Sequence, residues 1–245
     1  MTQVSHLNDF EVVELRRYLI REGERENFAK CFESYFPEAF QQLGAIVFGQ
    51  FFERGNRLAF TWFRGFRNMD ARARVNADFY YGPLWKEHAS TMNARLLDSD
   101  NVLLLRPLSP NRGIPVLPAV DPIGEAQGGQ GSVVAQIFPV KAESVDLFAQ
   151  RADEMFAGYR AAGMREAGVL VTLDAANNFP QHPIRTDGPY LVWLGIGKDQ
   201  GVAEAQFLPL AERSSAALCA SGLLWGTPEL VVLEPTRRSR LRWLA

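Results

Sequence analysis

The chain is poor in the residues that most often declare a chemistry. Its 245 residues include two cysteines, Cys31 and Cys219. They fall in segments read below as helices of different halves, so no disulfide framework is expected and a reducing cytoplasm is the default setting. Three histidines, His6, His88 and His182, and no cysteine pair leave no metal-ligand spacing, so no metal site is expected. An excess of one charge is missing too. Lys and Arg total 26 against 28 Asp and Glu, and the net charge is −2. No overall basic field exists for nucleic acid or an anionic membrane. The basic tail (Arg237, Arg238, Arg240, Arg242) lacks an interleaved stacking platform and reads as a solvated or inter-subunit edge. No run approaches the ~20 apolar residues of a membrane span, so no membrane insertion is expected. The lead Met1–Phe10 is polar and lacks the pattern of a signal peptide. No phosphate-cradling glycine motif and no G-x-S-x-G turn occur.

What the chain does have is a core and a repeat. Hydrophobic residues make up 47% and charged residues 22%, enough apolar material for a packed globular interior. Phe10–Ile20 alternates, with Val12, Glu14, Arg16 and Tyr18 on one face and Val13, Leu15 and Leu19 on the other, which predicts a strand. Phe28, Phe32, Tyr35, Phe36, Ala39 and Leu43 recur at helical spacing until Gly44, a natural stop. Pro37 inside that run predicts a kink or break near Phe36. Strands 45–54 and 57–67 flank the turn pair Gly55-Asn56. A helix from Met69 to about Tyr81 follows, then a second from Pro83 to Leu97 and a strand over 101–108.

The same order returns. Ser132–Pro139 is a strand, 143–162 a helix ended by Gly163, and 169–174 and 190–197 are strands. A helical region over 199–221 carries Pro209, and 228–235 closes the unit. Phe28 and Gly44 correspond to Phe148 and Gly163, Trp62 to Trp193, and Leu105-Arg106-Pro107 to Leu233-Glu234-Pro235. The two-residue hairpin of the first unit becomes the long connection 175–188, a length that is often functional or mobile.

The expected fold class is therefore α+β, with two tandem βαββαβ units. Residues 1–108 form the first, 109–131 a Pro/Gly-rich linker, and 132–245 a diverged second. A four-stranded antiparallel sheet with both helices on one face leaves its other face bare, and a second copy is the simplest cover. The expectation is two ferredoxin-like sheets facing each other as an intrachain barrel. Self-association is compatible with this layout but not required.

Glu14-Leu15-Arg16-x-Tyr18, Gly44, Trp62-Phe63-Arg64, Arg72 and Arg74, the aromatic segment through Trp85, and Arg106-Pro107 resemble the NIPSNAP family over roughly residues 10–108. The resemblance implies the dimeric α/β-barrel (ferredoxin-like) superfamily. That superfamily includes cofactor-free monooxygenases, isomerases, haem enzymes such as chlorite dismutase, and ligand-sensing domains. Chlorite dismutase-like chains use a histidine on a second-unit helix. Neither second-unit helix here has one, so haem is disfavoured and no cofactor is expected.

Two clusters are candidates for ligand binding. The first is Glu14, Arg16 and Tyr18, with Trp62, Arg64 and Arg106 on neighbouring strands; Glu14 and Arg16 are placed by strand parity on the face away from the helices, toward the space between the sheets. They read either as a buried ion-pair network or as an anion or carbonyl site with Tyr18 as donor. Trp85 and His88, with Met92, form a helical stripe facing the same sheet. The second unit has Gly195 in place of Arg64 and Ala211 and Ser214 in place of Trp85 and His88. A lone histidine on such a stripe is either a satisfied core residue or a base or ligand contact. His182 and Arg185 belong either to a plain surface loop or to a lid over a cavity mouth. The function expected is binding, or cofactor-free oxidation or isomerisation, of a small organic molecule in the first unit's cavity. The alternative is a non-enzymatic interaction or scaffold protein whose internal charges are structural.

Overall fold

A computed structural model describes residues 10–199, 201 and 203–244, with 203 and 204 by backbone alone. The polar lead, including His6, lies outside the described residues. The first half runs β1 (Val12–Ile20), α1 (Arg25–Gln42), β2 (Ile46–Glu53), β3 (Ala59–Phe66), α2 (Met69–Tyr80), α3 (Pro83–Asn93) and β4 (Leu96–Pro107). The second runs β5 (Ser132–Pro139), α4 (Val145–Ala161), β6 (Arg165–Thr172), β7 (Tyr190–Gly197), α5 (Leu208–Ala220) and β8 (Glu229–Pro235). The strands β4 and β6 begin earlier than their apolar runs suggest, because Leu96–Asn101 and Arg165–Gly168 pair with neighbours despite their mixed composition.

The strands close into one antiparallel barrel in the order β1-β3-β2-β8-β5-β7-β6-β4. By position, each half contributes its strands in the order fourth, first, third, second. The halves join edge to edge, β2 to β8 and β4 to β6, so no sheet edge is left bare. The two sheets are thus one continuous wall. Register repeats as well: Glu14 opposes Arg64 as Val134 opposes Gly195, and Arg16 opposes Trp62 as Gln136 opposes Trp193. Gly44 and Gly163, at φ +93° and +92°, end α1 and α4 in the left-handed conformation that glycine adopts without strain.

Alternation along the strands divides the core in three. Val13, Leu15, Phe63, Leu103, Val133, Ile137 and Leu233 fill the barrel. Two outer layers lie between barrel wall and helices, one per half. The helix-facing side of β1 is Val12, Glu14, Arg16 and Tyr18, which reverses the expected assignment of faces. Closure supplies the physical reason. The closed barrel interior is filled by close-packed apolar side chains, Phe48, Phe51 and Phe63 among them, so the face of β1 that carries Glu14 and Arg16 turns outward under the helices.

Two other expectations are revised. The α1 helix runs unbroken through Pro37. Proline deprives the Glu33 carbonyl of its usual donor, and the guanidinium of Arg238 in the tail donates to it instead. The basic tail is a solvated edge only in part: Arg237 and Arg238 are exposed, whereas Arg240 and Arg242 turn inward. Arg242 is 1% exposed; it donates to the Glu125 carboxylate at 2.5 and 2.6 Å and to the Pro118 carbonyl at 2.8 Å. Arg240 donates to the Leu117 carbonyl. These bonds seat Ile114, Val116 and Leu117, within the Pro/Gly-rich stretch, in the barrel cluster beside Leu241.

Candidate functional site

Under α1, α2 and α3 a single carboxylate is held by three guanidiniums. Glu14 accepts from Arg64 Nε at 2.6 Å, Arg72 Nε at 2.6 Å and Arg16 Nη1 at 2.8 Å. None of the four is more than 1% exposed. Burial pushes the Glu14 carboxyl up, but Arg64, Arg16 and Arg72 overcome it and hold the group well below the usual carboxylate range. Three positive charges thus face one negative. Arg64 Nη2 and Arg72 Nη2 are buried with no hydrogen-bond partner among the described residues, as is Trp62 Nε1. Aromatic faces take up part of this charge, since the Arg64 guanidinium lies 5.1–5.9 Å from the ring centres of Phe66, Phe40, Trp62 and Tyr80.

Beside this cluster lies a cavity of about 70 Å³. Phe32, Phe36, Phe40 and Phe79 line its apolar side, with Trp62, Trp85 and Met92. Its polar groups include Tyr18, Tyr80 and His182. The arginines stand one layer behind: Arg16 Nε donates to the Tyr18 oxygen at 2.7 Å, and Arg64 Nη1 reaches the Tyr80 oxygen at 3.5 Å, the outer limit of a hydrogen bond.

The second half of the chain supplies the cover. Asn177 and Asn178 accept from Arg72 Nη1 at 3.1 and 2.7 Å, and Asn178 donates back to the Met69 carbonyl at 2.7 Å. Gln181 donates to the Tyr81 hydroxyl. Phe179 and His182 stack with each other, and His182 lies over Tyr80 with ring centres 4.0 Å apart. Burial, then the charges of Arg16 and Arg64, push the His182 imidazole down to about 3, against a weaker pull from Glu14. His182 is therefore neutral near pH 7.

The corresponding place in the second half is filled. Val134 and Gln136 replace Glu14 and Arg16, and Gly195 replaces Arg64. The Trp193 indole lies over Gly195, whose missing Cβ would come within 2.2 Å of it. Tyr159, Phe207 and Phe156 pack round the same indole, and Gln136 is satisfied by Tyr159 and Ser215.

The structure brings Glu14, Arg16, Tyr18, Trp62, Arg64, Trp85 and His182 together. Three expected members stand apart. His88 stacks on the half-exposed Tyr35 at 4.1 Å and meets Phe36 edge-on at 6.4 Å, and it does not line the cavity. Arg106 is exposed on β4, where it donates to the Pro107 carbonyl. Arg185 pairs with Asp187 and Tyr190 at the barrel end. Arg72, Tyr80, Asn177 and Asn178 belong to the site and were not singled out for it. For Arg72 one signal existed, an arginine at helical spacing with Val75 and Phe79 on the buried stripe of α2.

The fold is that of the dimeric α/β-barrel proteins. A candidate monooxygenase from Lactobacillus acidophilus NCFM is 12% identical, with TM-score 0.57 over 92% of this chain and 94% of that one. A candidate monooxygenase from Fusobacterium nucleatum subsp. nucleatum ATCC 25586 is 11% identical, with TM-score 0.58 over 96% of each chain. An anthrone oxidase-like protein is 13% identical, with TM-score 0.58 over 97% of this chain and 98% of that one. At such identities the likeness speaks for the fold alone. The NIPSNAP family model matches residues 13–110, the half that holds the charge cluster and most of the cavity wall. No curated protein matches the chain. Among the described residues no helix is long and apolar enough to cross a membrane.

Proposed function

We propose that the protein binds a small organic molecule in the cavity between the first half's helices and the barrel wall, with cofactor-free oxidation or isomerisation as the chemistry to test first. The units behind this reading are two ferredoxin-like repeats, residues 1–108 and 132–245, joined by 109–131 into the single-chain counterpart of a two-subunit barrel. The repeated strand order and register support that division.

One observation carries the functional reading. A structural ion-pair network closes when its charges are matched, and this one leaves two guanidinium nitrogens without a partner among the described residues and a positive excess beside an aromatic cavity. The second half, on the same register, has lost both charges and space. A scaffold role for the internal charges gives no reason for this difference.

The test is a thermal-shift screen of small aromatic and quinone-like molecules against the wild type and Ser99→Phe, which fills the cavity rim from a partly exposed position. A ligand at a hundred times its Kd adds ~2.7 kcal/mol of stability. Wild type should gain this and the variant should not. Equal responses, or none, would remove the cavity from consideration. An absorption spectrum of the purified protein tests for haem and flavin at the same time.

A further inference from the structure

The polar wall of the cavity consists of hydroxyls and an imidazole rather than guanidiniums. Arg16 donates to the Tyr18 oxygen and Arg64 reaches the Tyr80 oxygen, which leaves both O–H groups free to donate elsewhere. A hydroxyl whose oxygen accepts from a cation is the stronger donor for it. Among the described residues, neither hydroxyl donates to a partner and no hydrogen bond reaches a ring nitrogen of His182. All three line the same space. Two polarised O–H donors beside a free nitrogen acceptor suit one oxygen on which negative charge develops.

The surroundings favour that charge. Facing His182 are Arg16, Glu14 and Tyr18 from β1, Arg64 from β3, and Arg72 and Tyr80 from α2. The only acid among them is Glu14, already engaged by all three arginines. Among the described residues no further acid in the site answers the remaining positive excess, and a bound oxyanion would.

We propose that the cavity selects a molecule with an acidic hydroxyl, a phenol or an enol, and holds it as the oxyanion between Tyr18 and Tyr80 while His182 takes the proton. The ligand's O–H bond breaks, its electron pair stays on oxygen, and an N–H bond forms on the imidazole. Nothing is oxidised or reduced. Burial and the nearby guanidiniums keep His182 neutral, and the new negative charge offsets the guanidiniums, so ionisation of the ligand and protonation of His182 favour each other. A carboxylic acid suits the site less well, because it arrives already ionised with two oxygens to satisfy and leaves His182 without a role. The ~70 Å³ cavity is about half the ~150 Å³ that admits a benzene ring, so the 177–182 stretch lifts as the ligand enters. This inference rests on the reading that the first half's cavity binds a small organic molecule.

The experiment uses 4-nitrophenol with the full chain, about one unit below the phenol's own pKa, where most of the free molecule is protonated. Wild type should be thermally stabilised, and the bound molecule should show the anion's absorption band. A shift of one pKa unit is tenfold in the ratio of anion to phenol. Tyr18→Phe and Tyr80→Phe should each lower that ratio about tenfold. Tyr80 is only partly buried, so its variant keeps the test alive if Tyr18→Phe does not fold. Calorimetric titration in two buffers of different ionisation heat counts protons. Wild type should release none to the buffer, and His182→Gln should release one per ligand bound. If 4-nitrophenol binds but stays a phenol, the inference fails and the cavity reading survives. The same holds if His182→Gln releases no more protons than wild type, or if 4-nitrobenzoate binds more tightly. If neither molecule stabilises wild type, both fail.

Discussion

His182, from the second half of the chain, lies over the ring of Tyr80, from the first, with ring centres 4.0 Å apart. The contact makes the cavity a product of both halves, although most of its wall comes from the first. It also puts a neutral imidazole within the field of three arginines that share one carboxylate, and the first two predictions follow from that crowding.

Glu14→Gln should be severely destabilising. It removes the only negative charge among three buried guanidiniums, and breaking a buried pair in this way costs ~3–5 kcal/mol. The urea midpoint should fall accordingly with little change in slope. Arg16→Met leaves two guanidiniums on Glu14 and should cost less. A reversed order would mean that Glu14 is not the hub.

Acid should weaken the fold in two separable stages. His182 has its pKa lowered from 6.5 to about 3, so the unfolded chain binds more protons between these values and stability falls as pH drops through that window. Glu14 is also lowered, so its contribution is complete above about 4.5 and is lost as pH falls below that value. In denaturant titrations across pH, His182→Gln should flatten the profile from about 6.5 downward and leave the steeper loss below 4.5 in place. A wild-type profile without slope between pH 6.5 and 4.5 would show that His182 is not buried beside the arginines.

Asn178→Ala should loosen the cover without unfolding the barrel. The side chain accepts from the charged Arg72, a bond worth about 1.5–3 kcal/mol in net terms, and donates to the Met69 carbonyl, worth about 1 kcal/mol. Amide hydrogen exchange should rise in 175–188 and at the start of α2, with the barrel strands unchanged. Uniform protection in the variant would contradict a cover hinged on this contact.

Gly195→Ala should destabilise by about 1–3 kcal/mol, since the added carbon would come within 2.2 Å of the Trp193 ring. Red-shifted tryptophan emission should accompany the loss as the indole is displaced. A neutral substitution would mean that the second half retains room for a site.

Much of the fold was legible because it depends on local periodicity. Alternation in β1, the stripe of α1, Gly44 and Gly163, and the spacing of Trp62 and Trp193 mark two similar units without any knowledge of contacts. The site was legible as a set of residue types on β1 and β3 and was placed on the wrong face. Parity shows that Val13 and Leu15 oppose Glu14 and Arg16; it does not show which set lies inside. His88 was suggested by its helical spacing with Trp85 and Met92, and Arg106 by the family resemblance and its place at the end of β4; in the structure His88 stacks on Tyr35 and Arg106 is exposed.

The amino-acid sequence by itself determined most of the elements, their recurring order and the uncharged residues that stand in the second half where the first has Glu14, Arg16 and Arg64, because each follows from residues a few positions apart. Tertiary structure alone decided that Glu14 collects three arginines, that a loop of the second half closes over the first, and that His182 rather than His88 enters the cavity. These depend on barrel closure, which brings distant segments together and turns the polar face of β1 beneath the helices. The scarcity of histidine and cysteine leaves few reactive groups along the sequence. Closure decided which of the few remaining reactive groups meet.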